Sequence, residues 1–253
     1  MKKTERPWAL VTGACGGIGR AIVAEFVDEG YQVIATDIYT TSDLSQNEHV
    51  EYLPLDLVEL QAGSGQREKF LDEVRSHTKD MGLKALVNNA ALQILGSTKE
   101  VSLEDWQSTL NVNLSAPFIL IQSFIDDLIT AGGSVVNIAS VHSKATKPGF
   151  VAYATSKAAL AGLTRALAVD LGGGIRINSI NPAATNTKML LDGFIGREAL
   201  YSELGKVHPI ERIASPTEIA RVVVFLVSDE ANFMTGCAID VDGGVLSRLH
   251  DLN

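Results

Sequence analysis

The residues that decide the fold are 8–19, which read WALVTGACGGIG. The apolar run Trp8–Thr12 predicts a buried strand, and the glycines after it permit positive φ angles and a close approach of backbone to a ligand. Apolar residues then recur at helical spacing over Ile18–Glu29, and Gly30 is typical of a helix C-terminal cap. A glycine turn between a strand and a helix can present free N–H groups to a phosphate. By itself, such a turn is equally typical of a helix that only packs on a sheet.

The rest of the chain repeats this alternation of short apolar runs and longer helical patterns. We predict further strands at Gln32–Asp37, Glu51–Leu55, Ala85–Asn89, Ser134–Ala139, Ile175–Ile180 and Cys237–Val241. One long helix is expected to begin at Ser102 and continue towards Thr130, and another begins at Ser215 with the capping sequence Ser-Pro-Thr-Glu. The pattern predicts an α/β protein with a doubly wound Rossmann fold, in which a seven-stranded, mainly parallel sheet carries helices on both faces.

The domain organisation follows from the same pattern, because no linker divides the sequence. We expect residues 1–253 to form one domain. Thr185–Arg212 is the least regular stretch, and we interpret it as a helical, mobile lid over the substrate pocket.

Composition excludes several classes of protein. The 253 residues include 30 acidic and 21 basic side chains, so the net charge of −9 argues against a nucleic acid or an anionic membrane as partner. With only Cys15 and Cys237, a disulfide framework is not expected, and no histidine pair has a metal-ligand spacing, so we predict no metal site. No apolar run of about 18 residues is present, and the apolar run after Met1–Lys3 is too short for a signal peptide. We therefore expect a cytoplasmic protein.

The end of the second predicted strand favours a dinucleotide. Asp37 lies eighteen residues after Gly19, where an acid can accept hydrogen bonds from the adenosine ribose hydroxyls. The same carboxylate would repel a 2′-phosphate, and the turn itself contains no Arg or Lys, so NAD is favoured over NADP. Arg20-Ala21 follows the last glycine in place of the Lys-Ser/Thr of a phosphate-binding ATPase loop, which disfavours an ATPase.

Tyr153 and Lys157 stand four residues apart at the start of an Ala-rich helical pattern, so they share one helix face. A phenol has a pKa of about 10, and an adjacent ammonium favours the phenolate, so we expect Lys157 to lower the pKa of Tyr153. Taken alone, the pair is more typical of an exposed lysine beside a half-buried tyrosine.

Ser140 ends the fifth predicted strand, at the carboxyl edge of the sheet where ligands bind in folds of this class. Asn113 lies inside the long predicted helix, and Pro117 follows four residues later without an N–H to pair with its carbonyl. A kink with a bound water and a simple local irregularity are equally consistent with this arrangement.

Together these features resemble the short-chain dehydrogenase/reductase superfamily, in its single-domain subgroup. The resemblance extends from Trp8 to about Gly244 and is carried by Thr12-Gly13-x-x-x-Gly17-x-Gly19, Asn88-Asn89-Ala90, Asn113, Ser140, Tyr153-x-x-x-Lys157, and Asn181-Pro182 followed by Thr187. The chain departs from the family pattern at Ala91 and Ala183, where the family usually has glycine.

The resemblance implies roles for these residues. It implies that Tyr153 is the general acid/base, that Lys157 holds the nicotinamide ribose, that Ser140 orients the substrate oxygen, and that Asn113 keeps a water in a proton relay. The cofactor contacts that it implies are Gly13, Gly17, Ile18, Gly19, Asp37, Asp56, Leu57, Asn89, Ala90, Tyr153, Lys157, Pro182, Thr185 and Thr187. We expect substrate contacts from Ser140 and Tyr153, and from His142 and Gln93 beside them.

The implied activity is an NAD-dependent oxidoreductase that transfers a hydride between nicotinamide and a secondary alcohol or ketone, such as a sugar, a polyol or a similar small alcohol. A 3-oxoacyl-[acyl-carrier-protein] reductase is the alternative within the family. A non-catalytic NAD-binding sensor, and an epimerase or dehydratase without net redox change, are alternatives of other classes. The resemblance also implies a homotetramer formed by helix packing, with which the apolar faces of Ala152–Leu171 and Leu103–Ile129 are compatible.

Overall fold

The computed structural model describes residues 6–61 and 65–249; residues 1–5, with the basic start, residues 62–64 and residues 250–253 lie outside this description. Within the described ranges, the strands are β1 Trp8–Thr12, β2 Gln32–Thr36, β3 Val50–Tyr52, β4 Ala85–Asn88, β5 Ser134–Ile138, β6 Arg176–Pro182 and β7 Ala238–Val241. They form one seven-stranded sheet in the order β3-β2-β1-β4-β5-β6-β7, and every neighbouring pair is parallel. The predicted doubly wound parallel sheet is confirmed.

Most strand ends lie within one residue of the prediction, and two ends, those of β3 and β6, differ by more. β3 ends at Tyr52, although the N–H groups of Leu53 and Leu55 still donate to the carbonyls of Ala35 and Asp37 at 3.0 and 2.9 Å. The ring of the intervening Pro54 fixes its φ at about −65°, which departs from the extended backbone of a regular parallel strand. β6 continues past Ile180 to Pro182, because its last two residues pair with Asp240 and Val241 of β7. The polar carboxyl end of β6 is therefore fixed by the neighbouring edge strand.

Helices cover both faces of the sheet. Their bounds are α1 Gly17–Asp28, α2 Gln66–Thr78, α3 Leu103–Leu110, α4 Ala116–Ser123, α5 Ile125–Ala131, α6 Val151–Asp170, α7 Lys188–Asp192, α8 Glu198–Val207 and α9 Pro216–Val227. One buried cluster joins α1 and α9 to β1, and a second joins α2, α4 and α5 to the opposite face. The predicted caps are confirmed: Gly30 closes α1 with a φ of +85°, Ser102 caps α3, and Ser215 and Glu218 form a capping box on α9.

The long helix predicted from Ser102 towards Thr130 is divided into α3, α4 and α5, and the expected disturbance around Asn113 and Pro117 is present. A π-helical turn, Asn111–Ser115, separates α3 from α4, and the chain bends by 60° between Ser123 and Ile125. Pro117 has no N–H for an α-helical bond to the carbonyl of Asn113, and the N–H of Ala116 donates five residues back to Asn111 instead. In the described part of the chain, no single helix is long and apolar enough to cross a membrane, although Leu103–Ser123 and Ile125–Ala131 meet that criterion when joined across the bend.

The segment Thr185–Arg212 contains α7 and α8, as expected from its helical pattern. It leaves β6 and returns beside its own start, because Thr185 pairs with Ala214 in an isolated bridge. The N–H of Asn186 donates to the carbonyl of Ala214 at 2.8 Å, and the N–H of Ala214 donates to Ala184 at 3.0 Å. The segment therefore stands over the carboxyl edge of the sheet on a closed base.

Candidate functional site

The glycine turn after β1 is packed so closely that side chains could not replace Gly13 or Gly19. Gly13 has a φ of +62°, and a Cβ on it would lie 2.7 Å from the Cα of Ala90. A Cβ on Gly19 would lie 2.1 Å from the carbonyl oxygen of Gly13. No side chain caps α1 at Gly16, and its first turn contains no acid. The positive end of α1 is thus open to an anion, as the pyrophosphate of a dinucleotide requires.

Asn89 and Thr12 hold this turn from below. The hydroxyl of Thr12 accepts from the backbone N–H groups of Asn89 and Ala90 at 3.0 and 3.1 Å. The side-chain amide of Asn89 donates to the carbonyls of Thr12 and Gly13 at 2.9 and 3.0 Å. Asn89 and Ala90 therefore lie where a cofactor contact was expected, and the amide nitrogen of Asn89 shapes the turn.

Asp37 follows β2 with its carboxylate oriented by backbone donors. Its two oxygens accept from the N–H groups of Cys15 and Ile38 at 2.9 and 2.8 Å. The carbonyl of Asp37 also accepts from Leu55 at 2.9 Å, which brings Asp56 and Leu57 to the same edge of the sheet. The carboxylate is therefore held beside the glycine turn, which fits the adenosine end of a dinucleotide.

A cavity of about 530 Å³ adjoins Asp37 and was missed by the sequence reasoning. Its walls are the glycine turn at Cys15 and the segment Tyr39–Gln46. The guanidinium of Arg20 lines it, donating to Asp43 at 2.7 Å and to the carbonyl of Cys15 at 3.1 Å. Arg20 directly follows Gly19, the last glycine of the turn, so it was not counted among the residues of the turn.

Ser140, Tyr153 and Lys157 come together at the carboxyl edge of β5. The ammonium nitrogen of Lys157 lies 5.7 Å from the ring centre of Tyr153 and donates to the carbonyl of Ile138 at 2.7 Å. A hydrogen bond joins the side chains of Tyr153 and Ser140, and the hydroxyl oxygen of Ser140 accepts from the N–H of His142 at 3.2 Å. The predicted shared face of Tyr153 and Lys157 is confirmed.

The protonation of this group differs from the sequence expectation. Burial raises the pKa of Tyr153, and the hydrogen bond with Ser140 acts in the opposite direction. Burial lowers the pKa of Lys157 to about 7, because the amine is enclosed by the protein. The expectation that Lys157 lowers the pKa of Tyr153 neglected the burial of both groups, which favours their neutral forms.

Asn113 is fully buried, and its side chain bonds Leu92 and Ser156. Its Oδ1 accepts from the N–H of Leu92 at 2.7 Å, and its Nδ2 donates to the carbonyl of Leu92 and to Oγ of Ser156, both at 2.9 Å. The π-helical turn makes this inward orientation possible. Through Leu92, Asn113 also fixes the segment that carries Gln93, which is half-buried.

Aromatic rings form one wall beside Tyr153. His142 stacks on Phe150 with ring centres 4.3 Å apart and meets the Tyr153 ring edge-on at 5.9 Å. Burial and the nearby Lys147 lower the pKa of His142, so the ring favours its neutral form. His142 therefore lies in the expected place, whereas Phe150 was missed, although it stands three residues before Tyr153 in the sequence.

A polar cluster fixes the turn Val141–Ser143, which follows Ser140. The ammonium of Lys144 donates to both carboxylate oxygens of Asp240, at 2.8 and 2.7 Å. Asn181 donates to Asp240 at 2.8 Å and accepts from the hydroxyl of Ser143 at 3.2 Å. These side chains link the loops after β5 and β6 to the edge strand β7, and the sequence reasoning did not find them.

The segment after β6 crosses the glycine turn. Pro182 ends β6, and Thr185 is buried with its hydroxyl donating to the carbonyl of Ala183 at 3.1 Å. Thr187 caps α7, and a Cβ on Gly17 would lie 2.9 Å from its methyl carbon. Thr187 is therefore adjacent to Gly17, so the segment that also carries Pro182 and Thr185 lies beside the glycine turn and Ile18. Among the residues described, no cluster of His, Cys, Asp and Glu could hold a metal ion.

Comparisons with known proteins agree with this geometry. A family model described as enoyl-(acyl carrier protein) reductase matches residues 13–246. The 3-oxoacyl-[acyl-carrier-protein] reductase of Thermotoga maritima is 34% identical over 240 residues, covering 94% of this chain and 96% of that protein. Among solved structures, the aldohexose dehydrogenase of Thermoplasma acidophilum in ligand-free form superposes with a TM-score of 0.89 at 32% identity, covering 98% of this chain and 97% of that one. A 4-hydroxyisoleucine dehydrogenase complexed with NADH superposes with a TM-score of 0.86 at 28% identity, covering 96% and 100%. The matches and the arrangement of the site together show that the chain belongs to the short-chain dehydrogenase/reductase family.

Proposed function

We propose that the chain is an NAD-dependent oxidoreductase that interconverts a small secondary alcohol and its ketone. The observation that carries the proposal is the meeting of Ser140, Tyr153 and Lys157 at the sheet edge, beside an uncapped helix N-terminus in a glycine turn. In this role the four residues Asn113, Ser140, Tyr153 and Lys157 form the catalytic group. The dinucleotide is held by the glycine turn, by the acid after β2 and by the segment after β6, that is, by Gly13, Gly17, Ile18, Gly19, Asp37, Pro182, Thr185 and Thr187.

The residues of the chain manage the proton, and the bound nicotinamide supplies the hydride chemistry. Oγ of Ser140 accepts from the N–H of His142, and its hydroxyl lies beside the phenol of Tyr153, where it can turn its hydrogen from Tyr153 to the substrate oxygen. Tyr153 then exchanges the hydroxyl proton of the substrate at its phenol oxygen. Lys157 donates one hydrogen to the carbonyl of Ile138, and its other hydrogens can be donated to a ribose hydroxyl of the cofactor and to a water in the proton relay. The carbonyl of Asn113, which Pro117 cannot pair, is the acceptor for a relay water.

Replacement of the phenol tests the proposed role of Tyr153. We expect Tyr153→Phe to lower kcat by about 10²- to 10⁴-fold, as is typical for the loss of a general acid/base, while NAD⁺ still binds. A variant that retains most of its kcat would contradict the role. NAD⁺ binding without turnover of any alcohol in a panel would favour a sensor, and product formation without net NADH would favour an epimerase or dehydratase.

The choice of NAD over NADP is supported by the carboxylate of Asp37, which two backbone donors hold beside the glycine turn, where the adenosine ribose would bind. The similar 4-hydroxyisoleucine dehydrogenase is complexed with NADH. We expect kcat/KM to be at least about tenfold higher with NAD⁺, since a 2′-phosphate would bring a charge of about −2 beside a carboxylate. Equal values for the two cofactors would contradict the choice.

The proposed substrate is a sugar, a polyol or a similar small alcohol. The similarity to an aldohexose dehydrogenase supports this class, and the ring of His142, which lies beside Tyr153, is the proposed contact of a second hydroxyl. The similarity to a 3-oxoacyl-[acyl-carrier-protein] reductase supports the alternative. A panel of aldohexoses, polyols and cyclic alcohols with NAD⁺, run beside acetoacetyl-coenzyme A with NADH, separates the two by the change in NADH absorbance.

Assembly, location and lid movement complete the proposal. We infer a homotetramer, because apolar side chains are exposed on α4, α5 and α6, namely those of Phe118, Ile129, Val151 and Val169. Light scattering measures the mass of the assembly.

Both cysteines are free, which supports a location in the cytoplasm, and cell fractionation tests that location. We also propose that residues 1–253 act as one domain and that Thr185–Arg212 is a lid that closes over the substrate pocket beside the bound cofactor. Limited proteolysis of this segment should slow when NAD⁺ is added.

A further inference from the structure

The cavity beside Asp37 contains a cation that is already neutralised. Arg20 donates from Nη2 to Oδ1 of Asp43 at 2.7 Å, and both side chains are partly exposed. The ion pair raises the pKa of Arg20 and lowers the pKa of Asp43, so both groups keep their charges at neutral pH. Among the described residues that line the cavity, Arg20 is the only cation and Asp43 the only carboxylate.

The cavity lies where a 2′-substituent on the adenosine ribose would project. Cys15 lines the cavity and its N–H donates to Asp37, so the cavity begins directly beside the carboxylate that faces the ribose in the proposed function. Its volume of about 530 Å³ leaves space for a phosphate together with several water molecules. Space alone therefore does not exclude a 2′-phosphate from this place.

The wall that carries Asp43 is fixed to the glycine turn by short contacts. Ser42 accepts from the N–H of Leu44 at 3.2 Å and caps the turn that Asp43 begins, and its hydroxyl oxygen lies 3.3 Å from the thiol of Cys15. Arg20 closes the same side through the carbonyl of Cys15. Asp43 is thus held opposite Arg20, and the pairing does not depend on a long flexible segment.

We propose that Asp43 is a second determinant of cofactor choice, which acts by keeping the guanidinium of Arg20 from a 2′-phosphate. The inference rests on the proposed NAD-dependent function and adds a residue to it. A 2′-phosphate brings a charge of about −2 and needs an unpaired cation, preferably a guanidinium that can bond two oxygens. With Asp43 present, the Arg20–Asp43 pair carries no net charge, so it offers nothing to offset the repulsion from Asp37.

The test compares two small probes that differ by one phosphate. Isothermal titration calorimetry measures the Kd of adenosine 2′,5′-bisphosphate and of 5′-AMP for the full chain and for Asp43→Ala. We expect the bisphosphate to bind roughly fivefold to tenfold more tightly to Asp43→Ala, the gain of an exposed but bidentate guanidinium–phosphate pair. The Kd of 5′-AMP should change by less than about twofold, because it lacks the group that Arg20 would bind.

One further variant assigns the gain to Arg20. Arg20→Met in the Asp43→Ala background should return the Kd of the bisphosphate to the wild-type value. Lys188 of α7 is another cation close to this region, since it interacts with Tyr39, but Asp192 pairs with it at 2.7 Å. A gain that persists without Arg20 would overturn the proposal, because another cation would then be responsible.

The matched control removes a carboxylate of similar exposure elsewhere. Glu68 is 57% exposed and paired with Arg67 at 3.1 Å, against 62% exposed for Asp43, and it does not line the cavity. An equal gain in Glu68→Ala would show a general effect of net charge and would overturn the proposal. The specific gain should also shrink below pH 6, where the phosphate loses one charge. It should shrink in 0.5 M salt as well, where the electrostatic screening length falls to about 4 Å.

Because Asp37 itself weakens binding of the bisphosphate, the same series in an Asp37→Asn background keeps the affinities within the range of the titration. No gain from Asp43→Ala in either background would refute the inference and leave the proposed function intact, provided that 5′-AMP and NAD⁺ bind. Failure of the wild-type chain to bind NAD⁺ would instead refute the proposed function. Far-ultraviolet circular dichroism of each variant shows that the fold is retained.

Discussion

Asn113 and Tyr153 are connected through Ser156. Nδ2 of Asn113 donates to Oγ of Ser156 at 2.9 Å, and the same hydroxyl donates to the backbone carbonyl of Tyr153 at 2.7 Å. The π-helical turn is thereby tied to the first turn of α6, which carries the phenol. Asn113 contributes to the geometry of the site through its side chain, in addition to the relay proposed for its carbonyl.

Removing this side chain should destabilise the protein. We expect Asn113→Ala to lower the free energy of unfolding by about 2 to 3 kcal/mol, because Leu92 and Ser156 would keep buried polar groups without their partner. Urea denaturation followed by circular dichroism measures the change. Asn111→Ala is the control, because the side chain of Asn111 accepts a surface hydrogen bond from Gln107 at 2.7 Å. Its loss should lower the free energy of unfolding by less than about 0.5 kcal/mol. Equal losses in the two variants would contradict the connection.

Lys157 should make stability depend on pH in a defined direction. Its pKa is lowered to about 7 in the folded chain, from a usual value of 10.5. Between these values the unfolded chain binds a proton that the folded chain has released, so this group makes the free energy of unfolding rise with pH. Below pH 7 both states are protonated and its contribution is constant.

The comparison with Lys157→Met isolates this contribution. The wild-type free energy of unfolding minus that of the variant should rise from pH 7 to pH 9, with a slope that approaches but does not exceed about 1.4 kcal/mol per pH unit. Chemical denaturation at each pH measures both proteins. A difference that stays level, or falls, over this range would show that Lys157 is not buried in its neutral form.

The glycine turn should tolerate a methyl group at one position and reject it at another. In Gly19→Ala, the new Cβ would lie 2.1 Å from a backbone oxygen, so the turn must move, and we expect a loss of about 3 kcal/mol or more together with weaker NAD⁺ binding. In Gly16→Ala, the nearest atom would be 3.3 Å away, and stability should change by less than about 1 kcal/mol. Thermal unfolding of both variants measures the difference. Similar melting temperatures would show that the turn is looser than described.

The cluster around Asp240 should protect the turn after Ser140 from hydrogen exchange. The N–H groups of Ser143 and Lys144 donate to the carbonyls of Ser140 and Val141 at 2.9 and 3.0 Å. We expect Lys144→Met to raise their exchange rates about fivefold, because the turn loses its ion pair with Asp240. Mass spectrometry of the peptide that contains them gives the rates.

Arg75→Met is the matched control for that experiment. Arg75 is 44% exposed and paired with Asp127 at 3.2 Å, whereas Lys144 is 45% exposed, and Arg75 lies on α2 away from the turn. This variant should leave exchange after Ser140 unchanged. If it accelerates exchange there as much as Lys144→Met does, the effect is global and the cluster does not hold the turn.

The sequence predicted those parts of the site that depend on short spacing and on the parallel sheet. Tyr153 and Lys157 share a face because they are one helical turn apart. Ser140 and Asp37 reach the same edge because parallel strands end there together. These relations follow from backbone geometry and need no knowledge of packing.

The relations that were missed join residues distant in sequence. Lys144 and Asp240 meet only because β7 lies beside β6, and Arg20 meets Asp43 only because the segment after β2 folds back over the glycine turn. The missing N–H of Pro117 indicated a disturbed helix, but it did not say that the backbone would widen into a π-helical turn. The direction of the pKa of Tyr153 depends on burial, which spacing does not reveal.

The bridge between Thr185 and Ala214 joins the two ends of the segment Thr185–Arg212, so this segment leaves and re-enters the fold at one closed point, its neck. Arg212 strengthens the neck by pairing with Glu218 at 2.6 Å, inside the cap of α9. Because the entropy cost of closing a loop grows only slowly with its length, the residues between the two ends of this neck can be lengthened or replaced at little cost, and the strands of the sheet stay in register. Exchange of the residues beyond this neck would therefore alter the wall of the proposed substrate pocket, while Ser140, Tyr153 and Lys157 stay in place.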